Sequence, residues 1–278
     1  MEIEEFIDRI SCFIPFEVGL ENDKLGLQVQ ASKQEVRKVL ITYEVTSEVI
    51  QEAKEKQMDL ILSFHPLIFF PLDRLIIDER VGSLLLELIQ NSISLVVFHT
   101  NFDAVRGGTS WLLAERLGLS NLEFLLPNEK REGFGFGVVG EFENFVTDLY
   151  LLEKVQGITN SPIRWCIGSS RNIKKIAVVG GSGMNFAKNA YEKNVDAFLT
   201  ADIKYHDFHY YKGKMMLIDP GHWETEYLVP FGMKKFVDAI FNDEITFFVS
   251  NIYTNPVEYF SKEEYNLKQK RVLLNNGV

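Results

Sequence analysis

The sequence has few cysteines and no long hydrophobic run. Only Cys12 and Cys166 occur in 278 residues, far apart and not in a CxxC pair. This argues against a disulfide framework and a thiolate zinc site, and we expect a reducing, cytoplasmic location. Charged residues, His or Pro interrupt every apolar run before it reaches membrane-spanning length, so no membrane segment is expected. The acidic, amphipathic start MEIEEFIDRI resembles neither a secretory signal nor a transit peptide.

Basic residues are also scarce. Lys and Arg number 29 against 39 Asp and Glu, which gives a formal net charge of −10. A surface this acidic repels phosphate backbones, so nucleic-acid binding is not expected. The one basic cluster, NLKQKRVLL near the end, is interpreted as a solvated face. A phosphorylated substrate would therefore need metal ions or a local cationic pocket.

Strand and helix patterns alternate along nearly the whole chain, which predicts an α/β protein. The run RKVLITYEV (37–45) is typical of a buried strand, and TSEVIQEAKEKQ (46–57) of a helix with Thr46 or Ser47 as N-cap. A second strand, MDLILSF (58–64), completes a βαβ unit. Farther along, GFGFGVVGEFENF predicts a strand followed by a helix that begins near Glu143.

The βαβ unit is repeated. Residues 173–202 align with residues 36–65 without a gap, and the strand–helix–strand order coincides. The identical pairs are Lys38/Lys175, Ala53/Ala190, Glu55/Glu192, Lys56/Lys193, Asp59/Asp196 and Leu62/Leu199. Shared βαβ composition is the alternative to true duplication. Because ligands bind beyond the carboxyl ends of strands in open α/β sheets, the equivalent positions His65 and Asp202 would each bring a coordinating group to that edge.

Polar side chains follow two further predicted strands, and the five histidines lie at or just past strand ends. A single histidine there is usually structural, but four polar clusters that converge on one sheet edge indicate a site. After the strand at 95–98 come His99, Asn101 and Asp103, and after the strand at 215–218 come Asp219, His222, Glu224 and Glu226; the remaining histidines are His65, His206 and His209.

The stretch GHWETE is the most informative of these clusters. His222 and Glu226 are four residues apart, so on a helix both would face the same side. An imidazole and a carboxylate at that spacing suit a divalent transition metal, although chance pairs of this kind are common. Asp103 could bridge two ions through its two carboxylate oxygens, or cap a turn.

Two other stretches could contact an anion. VVGGSGMNF (178–186) joins a strand to a helix, where backbone amides could bind a phosphate, or it could be a plain tight turn. TADIKYHDFHYYKG places Asp202, Lys204, His206 and Asp207 close together, and Lys204 is the natural electrostatic partner for a phosphate in an acidic site.

Six motifs in register resemble the GTP cyclohydrolase 1 type 2 family, the Nif-three-like proteins. They are NDKLGLQV, LSFHPLIFFPL, HTNFDAVRGGTSWLLAERLGL, VVGGSG, TADIKYHD and DPGHWETE…FGMKKF, and they span nearly the whole chain. The resemblance implies two intertwined, internally similar, three-layer α/β lobes. We expect residues 1–120 and 215–278 in the first lobe, with the metal ligands, and residues 121–214 in the second. It also implies a homohexamer, a trimer of dimers with dinuclear metal sites that face a central cavity. Longer members carry an inserted domain, for which LSNLEFLLPNEKREGFGFG leaves no room.

Carried over by motif, the metal ligands would be His65, Asp103, His222 and Glu226. The family has two adjacent histidines before the proline, and the first of them is Phe64 here. Loss of that imidazole predicts one firm metal site, held by His65, Asp103 and Glu226, and a second site, with His222, that is weak or absent. His99 or His206 could substitute. Sites of this kind accept Zn, Mn, Fe or Ni, so the metal stays open.

Two functions of different classes follow from the resemblance. The first is a metal-dependent hydrolase of a nucleotide-like substrate, for which the family name implies GTP, with His99 or His206 as the catalytic group that transfers protons. The second is a non-catalytic metal-binding protein that forms a ring and serves in assembly or regulation. Phe64 favours the second, because such a role tolerates the loss of one ion.

Overall fold

The computed structural model describes residues 1–31 and 35–260. The expectation for the basic cluster at 266–274 lies outside these residues. Two β-sheets with helices on their faces form the architecture, as the strand and helix pattern predicted. Within the described part of the chain, no helix is both long and apolar enough to cross a membrane.

The first sheet has five strands in the order β1-β4-β3-β2-β11. Strands β2, β3, β4 and β11 are parallel neighbours, and β1 is antiparallel to β4. The residues of β3 and β4 are all buried, because helices cover both faces of a parallel sheet. The strands are β1 Gly26–Val29, β2 Lys38–Thr42, β3 Leu60–Ser63, β4 Ser94–Val97 and β11 Thr246–Val249.

The second sheet has six strands in the order β5-β6-β8-β9-β10-β7. Its centre, β8-β9-β10, is parallel, while β5, β6 and β7 pair antiparallel. The strands are β5 Ser120–Pro127, β6 Gly135–Thr147, β7 Arg164–Cys166, β8 Asn172–Val178, β9 Ala197–Leu199 and β10 Met216–Asp219.

Helices pack on both faces of each sheet, so each lobe has three layers. The α-helices are α1 Ile3–Ser11, α2 Ser47–Glu55, α3 Arg80–Gln90, α4 Thr100–Asp103, α5 Thr109–Arg116, α6 Asp148–Thr159, α7 Ala187–Glu192, α8 Tyr205–Tyr211, α9 His222–Glu226 and α10 Val229–Phe241. On the first sheet, α2 and α3 cover one face, and α1 and α10 cover the other. On the second sheet, α5 and α6 cover one face, and α7 and α8 the other. After the second sheet the chain returns to the first, where α10 packs and β11 pairs with β2, so the lobes are intertwined as expected.

The internal similarity extends to individual hydrogen bonds. The order β1-β4-β3-β2 in one sheet matches β7-β10-β9-β8 in the other, including the antiparallel first strand. The carboxylate of Asp59 accepts the backbone N–H groups of Arg37 and Lys38, both at 3.0 Å. Asp196 accepts those of Lys174 and Lys175 at 2.8 and 2.9 Å, at the aligned positions. Shared composition alone would not reproduce this pattern, so the structure favours duplication.

Two expected boundaries differ from the structure. Glu143 does not begin a helix, because β6 continues to Thr147 and α6 begins at Asp148, where the Thr147 side chain accepts the N–H of Tyr150. Strand β10 pairs with β9 and β7 of the second sheet, although residues from 215 onward were expected in the first lobe. It is the third parallel strand of the second repeat, as β4 is of the first. The remaining lobe boundaries stay a prediction.

Candidate metal centre

The carboxyl ends of the two parallel sets of strands meet, and the candidate site lies between them. His65 follows β3 and His99 follows β4 of the first sheet, while Asp202 follows β9 and His222 follows β10 of the second. The rings of His65 and His222 lie 5.8 Å apart between centroids, so the sheets contribute side chains to one place. This is the edge at which open α/β sheets bind ligands.

Three of the four expected ligands form a compact group. His65, His222 and Glu226 each offer one ligand atom, and these atoms lie within 4.8 Å of one another. His222 Nε2 is 3.1 Å and His65 Nε2 is 3.6 Å from Glu226 Oε2. The helix predicted from GHWETE is present as α9, and its spacing directs His222 and Glu226 to the same point. Two imidazoles and a carboxylate are typical ligands of a divalent transition metal.

Asp103, the fourth expected ligand, lies outside this group but lines the same cavity. Its Oδ1 atom is buried and accepts no hydrogen bond from the described residues. Burial and the charge of Glu226 raise the pKa of Asp103 to about 7. A buried polar atom without a partner is costly, and a bound ion is one of its ordinary explanations. The donor set therefore fits a metal ion.

His99 lines the cavity beside these residues. Its ring is 5.2 Å from that of His65, and its Nδ1 lies 3.0 Å from each carboxylate oxygen of Asp23. Burial disfavours the charged imidazole, but the hydrogen bond to Asp23 and the charges of Asp103 and Asp23 outweigh it and raise the pKa of His99. His99 can therefore hold a proton inside the cavity.

Phe64 occupies a core position rather than an open one. Its side chain is fully buried, stacks on His65 at 5.2 Å and meets His99 edge-on at 5.1 Å between centroids. Tyr43 and Phe102 complete its surroundings. The apolar ring thus fills the space beside two of the histidines and supplies no donor atom there.

The charges at the site are strongly coupled. Burial disfavours a charged His222, but the hydrogen bonds and charges of Glu226 and Asp202 raise its pKa to about 10. Burial acts against Glu226 in the same way, yet the contacts with His222, His65 and Tyr43 hold its pKa below the usual range. Glu226 is therefore a carboxylate although it is only 4% exposed.

The other expected catalytic residue lies elsewhere. His206 is exposed on α8, where its ring contacts Tyr205 at 5.4 Å, and it lines neither cavity next to the ligand group. Lys204 is the exposed N-cap residue of α8 and likewise lines neither. Among the contacts of residues 1–31 and 35–260, neither side chain reaches His65 or His222.

The VVGGSG loop packs against the site. The backbone N–H groups of Gly180, Gly181 and Gly183 donate to the hydroxyls of Ser110, Thr225 and Thr200, so these three amides are already paired. A Cβ on Gly181, which has φ +62°, would lie 2.2 Å from Glu226 Oε1. These three amides are therefore not free for an anion, and the turn gives Glu226 room.

Sequence reasoning missed three residues that hold the ligands. The Tyr43 hydroxyl donates to Glu226 Oε2 at 2.8 Å, Glu44 Oε2 lies 3.0 Å from His65 Nδ1, and Asp23 contacts His99 as above. Tyr43 and Glu44 directly follow β2, so the strand-end signal that singled out His65 and His99 could have found them. Asp23 is 76 residues from its partner and had no such signal.

Two cavities adjoin the ligand group. One of about 440 Å³ contains Asp103, His99 and Glu226, and one of about 870 Å³ extends past Trp223, Tyr259 and Arg164. Both include His65, His222 and Glu44 in their walls. Their volumes lie in the range of small-molecule sites.

Comparison with known proteins identifies relatives along most of the chain. The family described as Duf34/NIF3 (NGG1p interacting factor 3) matches residues 1–256. A Clostridium perfringens protein named GTP cyclohydrolase 1 type 2 homolog is 31% identical over 263 residues, which are 93% of this chain and 100% of the relative. A Lactococcus lactis protein of the same name is 35% identical over 229 residues, 80% of this chain and 86% of the relative.

Solved structures agree with the fold. The crystal structure of the hypothetical protein SA1388 of Staphylococcus aureus matches with a TM-score of 0.87 at 29% identity, and covers 94% of this chain and 99% of that one. A Bacillus cereus protein related to NIF3 matches with a TM-score of 0.86 at 23% identity, with 94% and 99% covered. The resemblance expected from the six motifs is confirmed by these matches.

Proposed function

Since the chain belongs to the Duf34/NIF3 family, we propose that it holds a divalent metal ion between its two sheets and hydrolyses a nucleotide-like substrate there. The observation that carries the proposal is the group of His65, His222 and Glu226 ligand atoms within 4.8 Å. The buried, unpaired Oδ1 of Asp103 in the same cavity supports it. Zn, Mn, Fe and Ni all suit these donors.

A divalent ion supplies Lewis-acid polarisation of a substrate carbon and a bound water of lowered pKa. The chain's own residues do the rest. His65, His222 and Glu226 would hold the firm ion, since their ligand atoms lie together, and Asp103 could complete it from the same cavity; this replaces the set of His65, Asp103 and Glu226 expected from the sequence. A second position would be weak because Phe64 replaces an imidazole. His99 is the group placed to transfer a proton, since it lines the cavity and its Nδ1 is held by Asp23. His206 would take this role only if the exposed helix α8 moved.

The substrate class is supported by the larger cavity. Its volume of about 870 Å³ suits a nucleotide-sized molecule, and its wall combines aromatic Trp223 and Tyr259 with the cations Arg80 and Arg164. Both arginines are ion-paired, Arg80 with Glu44 and Arg164 with Asp219, so an anion would have to compete with carboxylates. The name of the curated relatives nevertheless makes GTP the first substrate to test.

The second candidate is a non-catalytic metal-binding protein that forms a ring. Phe64 favours it, because a buried apolar ring stands where the family pattern has an imidazole. The segment after His65 has exposed apolar side chains, among them Phe70 at 74% and Ile77 at 70% exposed. These side chains would suit a contact with another copy of the chain. A homohexamer built as a trimer of dimers, in the cytoplasm, belongs to this proposal.

Metal content separates the proposals from a metal-free function. Elemental analysis of the purified protein should find about one ion per chain, and Glu226→Ala should lose it while the matched acidic change Asp238→Ala, on the far helix α10, keeps it. GTP turnover with added Mn²⁺ or Zn²⁺ then decides between the two classes. Metal without turnover would leave the ring-forming protein, and native mass spectrometry would test its hexamer. A wild-type protein that binds no metal would refute both.

A further inference from the structure

Each of the three histidines at the candidate metal centre has its Nδ1 atom next to a carboxylate. His65 Nδ1 lies 3.0 Å from Glu44, His99 Nδ1 3.0 Å from Asp23, and His222 Nδ1 2.6 Å from Asp202. Each carboxylate stands on the same lobe as its histidine, because Glu44 follows β2 and Asp202 follows β9.

This contact decides which nitrogen can bind an ion. A neutral imidazole carries one N–H, and a carboxylate at Nδ1 accepts it, so the lone pair is left on Nε2. In His65 and His222 the Nε2 atoms lie 3.6 and 3.1 Å from the same oxygen of Glu226, at the centre of the ligand group. Carboxylates in such positions fix the ring and typically contribute 10- to 100-fold to metal affinity.

We infer that Asp202 is the positioning residue of His222, which it holds with Nε2 toward the metal centre; the inference rests on the proposed metal site. Its side chain is 51% exposed, and within residues 1–31 and 35–260 its hydrogen-bond partner is His222. Such a side chain contributes little to the core, so a structural role does not explain it. Its backbone is left-handed with φ +56°, which Asp tolerates better than most residues.

The duplication gives Asp202 a second significance. It aligns with His65, so the same position after the second parallel strand provides a ligand in one repeat and a carboxylate that orients a ligand in the other.

Asp23 and Glu44 have additional partners. Asp23 accepts the N–H of Thr100, and Glu44 accepts Arg80, so changing either would disturb the fold as well as the histidine. Asp202 is therefore the position at which orientation can be tested alone.

The test measures Zn²⁺ affinity of the full chain by competition with a chromophoric chelator. Asp202→Ala should weaken Zn²⁺ binding roughly 10- to 100-fold. Asp202→Asn should recover most of that loss, because its amide oxygen still accepts the Nδ1 N–H. Asp238→Asn is the matched control, since it removes an exposed carboxylate that pairs with Lys234 on α10, away from the site. It should leave the affinity unchanged.

A second readout separates orientation from simple loss of folding. The visible absorption of bound Co²⁺ depends on the ligands and their geometry, so it should change in Asp202→Ala and return in Asp202→Asn. In the metal-free state the Asn variant should unfold at the wild-type temperature, because Asn accepts the left-handed backbone as Asp does, and the Ala variant should unfold cooperatively at a somewhat lower one. Wild-type Zn²⁺ affinity in Asp202→Ala would overturn the inference, and so would an Asn variant as weak as the Ala variant. If the wild-type chain itself bound no Zn²⁺, the proposed metal site would fail first, and this result is recognisable without any variant.

Discussion

The buried carboxylate of Asp103 should lower the free energy of unfolding of the metal-free protein at neutral and higher pH. Its Oδ1 is buried without a hydrogen bond, and its pKa is raised from 3.8 to about 7 by burial and by Glu226. A carboxyl group whose pKa is raised on folding stabilises the folded state only while it is protonated. The free energy of unfolding should therefore fall as the pH rises from about 4 through about 7. Over about three pH units, at about 1.4 kcal/mol each, the loss is at most about 4 kcal/mol.

The substitution Asp103→Asn removes this charge and keeps the shape. The buried amide loses about 1–3 kcal/mol for its own unpaired groups, so we expect a net gain of about 1–3 kcal/mol at pH 8 in the metal-free protein. At pH 5 the wild-type carboxyl is protonated and the gain should vanish. For a chain of this size the gain corresponds to a rise of roughly 2–10 °C in the unfolding temperature. The variant should at the same time lose its stabilisation by Zn²⁺.

Thermal and urea unfolding of chelator-treated protein at pH 5 and pH 8 measures this, with and without added Zn²⁺. For the wild type, a free ion concentration 100 times its dissociation constant should add about 2.7 kcal/mol. Asp238→Asn, an exposed change of the same charge, serves as control and should behave as the wild type. If Asp103→Asn were less stable than the wild type by the same amount at both pH values, the reasoning about a buried, uncompensated carboxylate would be refuted.

Three other outcomes are expected. Phe64→His should raise bound metal from about one toward two ions per chain by elemental analysis; an unchanged count would contradict the role given to Phe64. Zn²⁺ affinity should increase with pH below 10, because an ion must displace the proton on His222, whose pKa Glu226 and Asp202 raise to about 10. Calorimetry in buffers of different ionisation enthalpy should detect at least one proton released per ion. Gly181→Ala should lower both metal affinity and stability by at least about 1 kcal/mol, since its Cβ would meet Glu226 and its φ is positive. The control is Gly157→Ala in helix α6, where an added Cβ has no neighbour within 4 Å, and it should stabilise the chain instead.

Features encoded within a short stretch were predictable from the sequence. The helix of His222 and Glu226 was readable from a four-residue spacing, and the ends of β3 and β4 from polar residues after buried runs. The aligned repeats predicted a strand–helix–strand unit in each half, and each sheet contains one. The helix start predicted at Glu143 could have been placed correctly from the sequence, because Thr147 followed by the acidic Asp148 is a helix-start signal.

Contacts between distant segments were not predictable in this way. Asp23 and His99 are 76 residues apart, and Tyr43 reaches Glu226 across 183 residues. Such pairs depend on how distant segments pack within each sheet and between the two sheets, which a single sequence does not state. The same limit explains why Asp202 was placed correctly at the sheet edge, whereas its contact with His222 emerged only from the structure.

His65 stands on the first sheet and Glu226 on the second, and this division has a consequence for the whole chain. An ion coordinated by both would cross-link two bodies that otherwise adhere through side-chain packing and a few bonds such as that from Tyr43. Removal of the ion by a chelator should then leave the hydrogen-exchange rates within each sheet unchanged. Exchange should become faster at the contact between the two lobes, in helices α5 and α10.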